Sequence, residues 1–408
     1  MSGMSSGAYE GCTVIENARI GGEGLGSIVF GSDGTILPAA QGDVRTFDAG
    51  GRVVVPAFAE PHAHLDRAFS QAITGANQSG TLLEAIRRFH SSVRLMVVDA
   101  LAPGATRALT MLAAKGVAHV RTHTIVGGEI GFRAWEAVEL AASAVPAVQV
   151  QQVMMPIGGL VDRPNALAWA RESAARGAVA LGGAPWLADD PSRATWAAAE
   201  VAAELGIGLD LHVDETDDPS VSTLTDLAEA VNDAHLGGRA VAAHCCSMAS
   251  RPIAVARREA EALAEAGVAV VVCPVSSLSL QGRRTGMRGL APVRLLWEAS
   301  VAVGIGLDNI RDVVVGLGTA DPLRAAWLLA LAGHLTGEDD LSRLGETVVR
   351  DNRVICGIQE GLSPGNPADL LVIDATSLAE AIALVPARQR LFADIPLEET
   401  LLTETWRP

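Results

Sequence analysis

Long hydrophobic runs are missing from this chain of 408 residues. No stretch of about 18 apolar residues appears, so no membrane-spanning helix is expected. Positive charge is also scarce: 31 Lys and Arg stand against 47 Asp and Glu, a formal net charge of −16. Phosphate binding needs clustered cations, so neither nucleic acid nor an anionic membrane surface is an expected partner. The first residues, MSGMSSGAYEGCTVIENARI, lack a cationic segment followed by an apolar one, and no secretory signal is expected. The five cysteines, Cys12, Cys245, Cys246, Cys273 and Cys356, show no framework spacing. An odd, unpatterned set fits buried thiols in a reducing compartment, so a cytoplasmic location is expected. No GxGxxG follows an apolar run, which removes the usual dinucleotide signal. Fixed short repeats and low-complexity segments are absent as well.

Apolar residues make up 49 % of the chain with only 4 % aromatic, so a large core of aliphatic and small side chains can form. The length admits one large domain with a small companion, or two or three ordinary ones. Residues 12–55 read as short β pieces broken by SDG and AGG turns, and a similar vocabulary returns in GLSPGNPADLLVID, residues 361–374. Between them, apolar runs end at VVVPAF (53–58), VAHVRTH (117–123), VQVQQVMMP (148–156), AVALGGAP (178–185), IGLDLHVDE (207–215), RAVAAHC (239–245), VAVVVCP (268–274) and VAVGIGLD (301–308). Segments of helical period such as NALAWARESAARG separate several of them. Eightfold alternation predicts a (β/α)8 TIM-type barrel, with a doubly wound open sheet as the alternative. Residues 57–356 are assigned to the barrel, and residues 1–56 plus 357–408 to a small β-sandwich built from both termini.

In such a barrel the chemistry sits at the C-terminal strand ends. Polar residues collect there: His62 and His64 after strand one, His123 after two, His212, Asp214 and Glu215 after five, His244 after six, Asp308 and Asn309 after eight. Side chains two apart on extended backbone share a side, so the His62 and His64 imidazoles can reach one ion. His212 and Asp308 can complete a nitrogen-rich site for Zn or Fe. Taken singly, His212 or His244 reads as a core histidine and Asp308 as a helix cap; the combination in strand order argues for one divalent metal ion. Glu215 is placed to move protons and His244 to polarise the attacked atom or hold hydroxide. Asp66 and Arg67 are candidates to orient the HxH loop, and His123 has no assigned role. Leu82, Leu83 and Ile86 read as core packing, with a pocket wall as the alternative.

These segments together resemble the amidohydrolase superfamily, and within it the cytosine deaminase group. PAFAEPHAHLDR (56–67), HVRTH (119–123), HVDETDD (212–218), AAHCCSM (242–248), CPVSSLSLQGR (273–283) and GLDNIRD (306–312) carry the likeness, over nearly the full chain. The resemblance implies one metal held by His62, His64, His212 and Asp308. It also implies Glu215 as proton shuttle, His244 assisting water activation, and Asp308 doubling as base. No lysine occurs in VALGGAP, so a bridging carbamylated lysine is not expected. Substrate contacts depart from the group: Ile157 stands where it carries a glutamine, Asp308-Asn309 replaces Asp-Asp, and no tryptophan occurs in RDVVVGLG. Ile157, Gln281 and Asn309 are the candidate substrate contacts, and cytosine itself is not the expected substrate. The expected activity is metal-dependent deamination of an amino-substituted nitrogen heterocycle. The alternatives are cleavage of a cyclic amide or another leaving group, and, from a different class, a non-catalytic scaffold. A small nitrogen-containing molecule is the expected partner, with homo-oligomerisation possible within the resemblance.

Overall fold

The computed structural model describes residues 11–161, 165–283, 286–358 and 361–391; the outermost parts of the expected sandwich, 1–10 and 392–408, lie outside them. Strand β1 (Cys12–Ile20) turns at Gly21 and Gly22, both at positive φ, into the antiparallel β2 (Leu25–Gly31), followed by β3 (Ile36–Leu37). Two strands, β4 (Val44–Asp48) and β5 (Val53–Pro56), then run parallel to successive parts of β1.

The run VVVPAF counts among the eight apolar runs while the expected domain boundary falls inside it, and the structure divides it between two sheets. The Ala57 N–H goes to Asp369 of the small sheet at 2.9 Å, whereas the Phe58 N–H goes to Gly116 at 2.9 Å. The chain thus changes sheets between Ala57 and Phe58. The first barrel strand is β6 (Phe58–Ala63), so His62 lies inside it rather than after it. Parallel partners follow in order: β7 (Val117–Val126), β8 (Gln149–Pro156), β9 (Ala180–Gly183), β10 (Gly208–Val213), β11 (Ala240–His244), β12 (Val268–Val272) and β13 (Val303–Ile305). Helices such as Val98–Ala114, Pro191–Leu205 and Ile253–Glu265 cover the outside, giving the (β/α)8 barrel expected.

From the other end of the chain, β14 (Leu370–Ile373) pairs antiparallel with β5, and β15 (Arg388–Leu391) with β14. Both ends therefore join in one hydrogen-bonded sheet, branched at β1. Alternation along β5 and β14 sets its two faces. Val54, Leu370 and Val372 pack with Ile15, Ile28 and Phe30 in a core of their own, while Val53, Val55, Leu371 and Ile373 join the barrel's large apolar core.

The last seam, between β6 and β13, is joined largely by side chains. Near its base, Asn352 accepts from the Ile305 N–H at 2.9 Å and donates to the carbonyls of Ala59 and Ile305 at 3.1 and 3.0 Å. Above it, one oxygen of Glu60 accepts from the N–H groups of His62 and Leu307 at 2.9 and 3.0 Å. At the mouth the backbone takes over: Asp308 donates to His62 at 2.8 Å and His64 donates to Asp308 at 3.1 Å. Gly306 makes room for this closure, since a Cβ there would stand 2.9 Å from the His62 Cβ and 3.1 Å from the Cys273 Sγ.

Asn352→Ala would strand three buried backbone groups, and at about 1 kcal/mol or more each the expected loss is roughly 3 kcal/mol. Urea unfolding measures it; a change below about 1 kcal/mol would show that the seam does not need this amide.

Candidate metal centre

At the barrel mouth five histidines and two acidic residues meet with almost no access to water: His62, His64, His123, His212, His244, Glu215 and Asp308 are all buried. His64 stands just past β6, where Nδ1 is 3.2 Å from the His123 carbonyl. A carbonyl only accepts, so the ring proton is on Nδ1 and the lone pair on Nε2. That Nε2 is 3.0 Å from His212 Nε2 and 3.2 Å from Asp308 Oδ1. Asp308 Oδ1 is also 4.0 Å from His62 Nε2, and its Oδ2 is 4.0 Å from His244 Nε2.

One ligand atom from each of His62, His64 and His212 falls within 4.8 Å of the others. Overlapping sets join His62 to His244, Cys273 and Asp308, and to His123 and Asp210. Both nitrogens of His62 and of His244 are buried without a hydrogen-bond partner. Burial, followed by neighbouring histidines or Arg67, holds His62, His64 and His212 well below the ordinary imidazole range. Burial likewise raises the Asp308 carboxyl to about 6. Neutral imidazoles with unshared lone pairs beside one carboxylate form a donor set suited to a divalent cation, and without one their burial is costly.

Glu215 lies just beyond β10, with Oε1 3.9 Å from His244 Nδ1, and burial raises its carboxyl. Its neighbour Asp214 fixes this corner. Asp214 accepts from the Thr223 hydroxyl at 2.7 Å and from Arg251 at 3.0 Å, while Ser247 donates its N–H to the Asp214 carbonyl at 3.2 Å. Those bonds tie the loop after β10 to the one after β11, and so Glu215 to His244. Asp214, His244, Cys245 and Asp308 all adopt positive φ, from 48° to 73°. Non-glycine residues rarely do so, and clustering at the mouth marks strain held by the surrounding bonds.

A cleft of about 740 Å³ opens above the cluster and includes His64, His212, Glu215 and Asp308 in its lining. Ile157 and Asn309 line it, as expected for substrate contacts, although Asn309 gives its amide to Asp312 at 2.7 Å. Gln281 is not among the lining residues; its amide donates to the Glu215 carbonyl at 2.9 Å and braces the loop after β10. His123 sits beneath, with Nε2 3.3 Å from Asp210 and its ring 4.2 Å from that of His62. Leu82 and Ile86, read from sequence as core, are walls of the cleft, and Leu83 is 62 % exposed. Sequence reasoning passed over Glu60 and Asn352 altogether; for Glu60 the signal was a carboxylate inside the apolar run AFAEP.

Residues 85–402 match the Amidohydrolase family. A pterin deaminase from Rhizobium rhizogenes is 28 % identical over 93 % of this chain and 90 % of its own length. A 5-methylthioadenosine/S-adenosylhomocysteine deaminase from Symbiobacterium thermophilum is 27 % identical, over 92 % and 83 %. Among solved structures, 5-methylcytosine deaminase from Klebsiella pneumoniae liganded with 5-fluorocytosine resembles it with a TM-score of 0.87 at 29 % identity, covering 93 % of this chain and 96 % of that one. By its barrel, its buried donor set and a family match over most of its length, this chain belongs to the amidohydrolase family.

Proposed function

We propose that this protein hydrolytically deaminates an amino-substituted nitrogen heterocycle, using one Zn or Fe ion held by His62, His64, His212 and Asp308. The observation that carries the reading is the convergence of those four residues beside Glu215 and His244 at the floor of one cleft. When bound, the ion would supply Lewis acidity and bring the pKa of water toward about 7.

The protein's own groups account for the proton movements. Asp308, whose carboxylate stands among the His62, His64 and His244 rings, is placed to take a proton from the attacking water. Oxygen adds to the ring carbon bearing the amino group, and the C=N electron pair moves to the ring nitrogen. Glu215 protonates that nitrogen, then helps pass a second proton to the amino group. The C–N bond breaks, ammonia leaves, and a ring carbonyl remains; one water is consumed. His244, between Glu215 and Asp308, orients the entering oxygen. The cleft covers the reacting carbon, and so keeps competing water away.

Pterin and 5-methylthioadenosine, from the names of its relatives, are the first substrates to test, with 5-methylcytosine as the contrast. Cytosine itself is not expected, because Ile157 presents no hydrogen-bonding side chain where the resemblance places a glutamine. The protein is further proposed to act in the cytoplasm, on a small molecule rather than nucleic acid or membrane, and to form homo-oligomers. Its proposed division is a barrel of residues 57–356 and a small unit of 1–56 plus 357–408. Among the described residues no helix is long and apolar enough to cross a membrane.

Purified protein should carry about one transition-metal ion per chain, and His62→Ala or Asp308→Ala should lose both metal and ammonia release. Elemental analysis decides this; wild-type protein unable to bind zinc or iron would refute the reading. Glu215→Gln should keep its metal while kcat falls by about 10²- to 10⁴-fold. Full activity in Glu215→Gln would remove the glutamate from the mechanism.

A further inference from the structure

Arg67 is a cation at the floor of the cleft, beside residues proposed to hold a cation. Its charge acts on His64, His212, Glu215 and Asp308. Like charges at such range oppose each other, more strongly away from water. The guanidinium is partly neutralised from behind: Nε is 3.2 Å from Asp312 and Nη1 is 3.6 Å from Asp66, both carboxylates buried. Those carboxylates are themselves fixed by backbone donors, Ile125 to Asp66 at 3.0 Å, and Val314 and Val315 to Asp312 at 2.8 and 2.9 Å. Arg67 is thus a rigidly mounted donor, and part of it forms the cleft surface. Of the other candidate substrate contacts on the cleft, neither is a charged donor. Asn309 gives its amide to Asp312, and Ile157 has no polar side chain.

The same cleft is lined by the apolar Leu82, Ile86, Phe89, Ile157 and Val313, alongside the polar Asp189, Asp190 and Arg193. A volume of about 740 Å³ is in the upper part of the range of about 300–1,000 Å³ usual for ligand pockets. A single pyrimidine ring would leave much of this apolar surface wet.

We propose that Arg67 is a substrate-binding residue that reads the carbonyl oxygen on the far side of the ring nitrogen next to the attacked carbon, and that the substrate is a fused-ring amino-oxo heterocycle. The inference rests on the deamination reading above. Its chemistry is specific: attack at an amidine carbon drives negative charge onto the ring nitrogen, and through it onto a neighbouring carbonyl oxygen. A guanidinium on that oxygen stabilises the charge as it grows, with two N–H groups in a fixed fork. A ring amine at that position would instead turn its own N–H groups toward the arginine.

The test uses zinc-loaded Glu215→Gln protein, slow enough for equilibrium titration, with pterin, 2,4-diaminopteridine and isocytosine as probes. Pterin should bind about 10- to 100-fold more tightly than 2,4-diaminopteridine, the usual range for a charge-assisted hydrogen bond. It should also bind more tightly than isocytosine, which carries the same amino-oxo edge on one ring. Adding Arg67→Met should erase the first difference and leave the second, with zinc content unchanged. Should that variant fail to fold, Arg67→Lys, which keeps the charge and loses the fork, should shrink the first difference. Equal binding of pterin and 2,4-diaminopteridine, or discrimination surviving both substitutions, would overturn the role of Arg67. Isocytosine binding as tightly as pterin would overturn the fused-ring assignment. Absence of ammonia release from every heterocycle tried with wild-type protein is a separate result, and would bring down the deamination reading itself.

Discussion

A parallel barrel must close its last strand on its first, and here that closure and the candidate site are built from the same atoms. The strands β6 and β13 meet through Asn352 and Glu60 below, and through backbone bonds between His62, His64 and Asp308 at the mouth. Three of the four proposed metal ligands are consequently held by the seam itself. His212 arrives from β10, across the barrel, and reaches the same point because the eight-strand circle is narrow enough for inward side chains to meet. Any change that opens the seam displaces donors, so folding and the site's geometry are one problem in this molecule.

Electrostatics gives the seam its purpose. Five buried imidazoles and two carboxyls in one small volume are unfavourable unless something compensates their lost hydration. Several ring nitrogens have no hydrogen-bond partner at all. The left-handed residues Asp214, His244, Cys245 and Asp308 add conformational strain at the same place. Buried bonds from Thr223, Arg251 and Ser247 hold Asp214, and Gln281 holds the next residue's carbonyl. A cluster kept poised by so many supports is preorganised to receive a cation and substrate, with little left to rearrange when they bind.

Specificity belongs to a different layer. The ligand positions come from strand ends, whereas the cleft is shaped by loops and by the helix Leu82–Ser92. Loops can change size and polarity without disturbing the strands beneath, so one donor set can serve many heterocycles. Gln281 illustrates the boundary: its side chain braces the loop that carries Glu215.

Much of this architecture was legible in the amino-acid order. Alternating apolar runs and helical segments specify the barrel, and polar residues at the run ends mark which side does chemistry, because a buried strand has no other reason to finish in histidine or aspartate. Patterning could not locate the residue within VVVPAF at which the chain changes sheets, since its apolar residues satisfy either; the change of hydrogen-bond partner between Ala57 and Phe58 does. Nor could it assign Glu60 and Asn352, 292 positions apart in numbering (352 − 60), to one seam. The sequence by itself therefore determined the fold class and the inventory of candidate metal-binding and proton-moving groups, through local periodicity and residue chemistry. Only the tertiary structure decided which distant groups touch, which backbone atoms need a side-chain partner, and which leucines face the cleft rather than the core, because those depend on where the barrel closes.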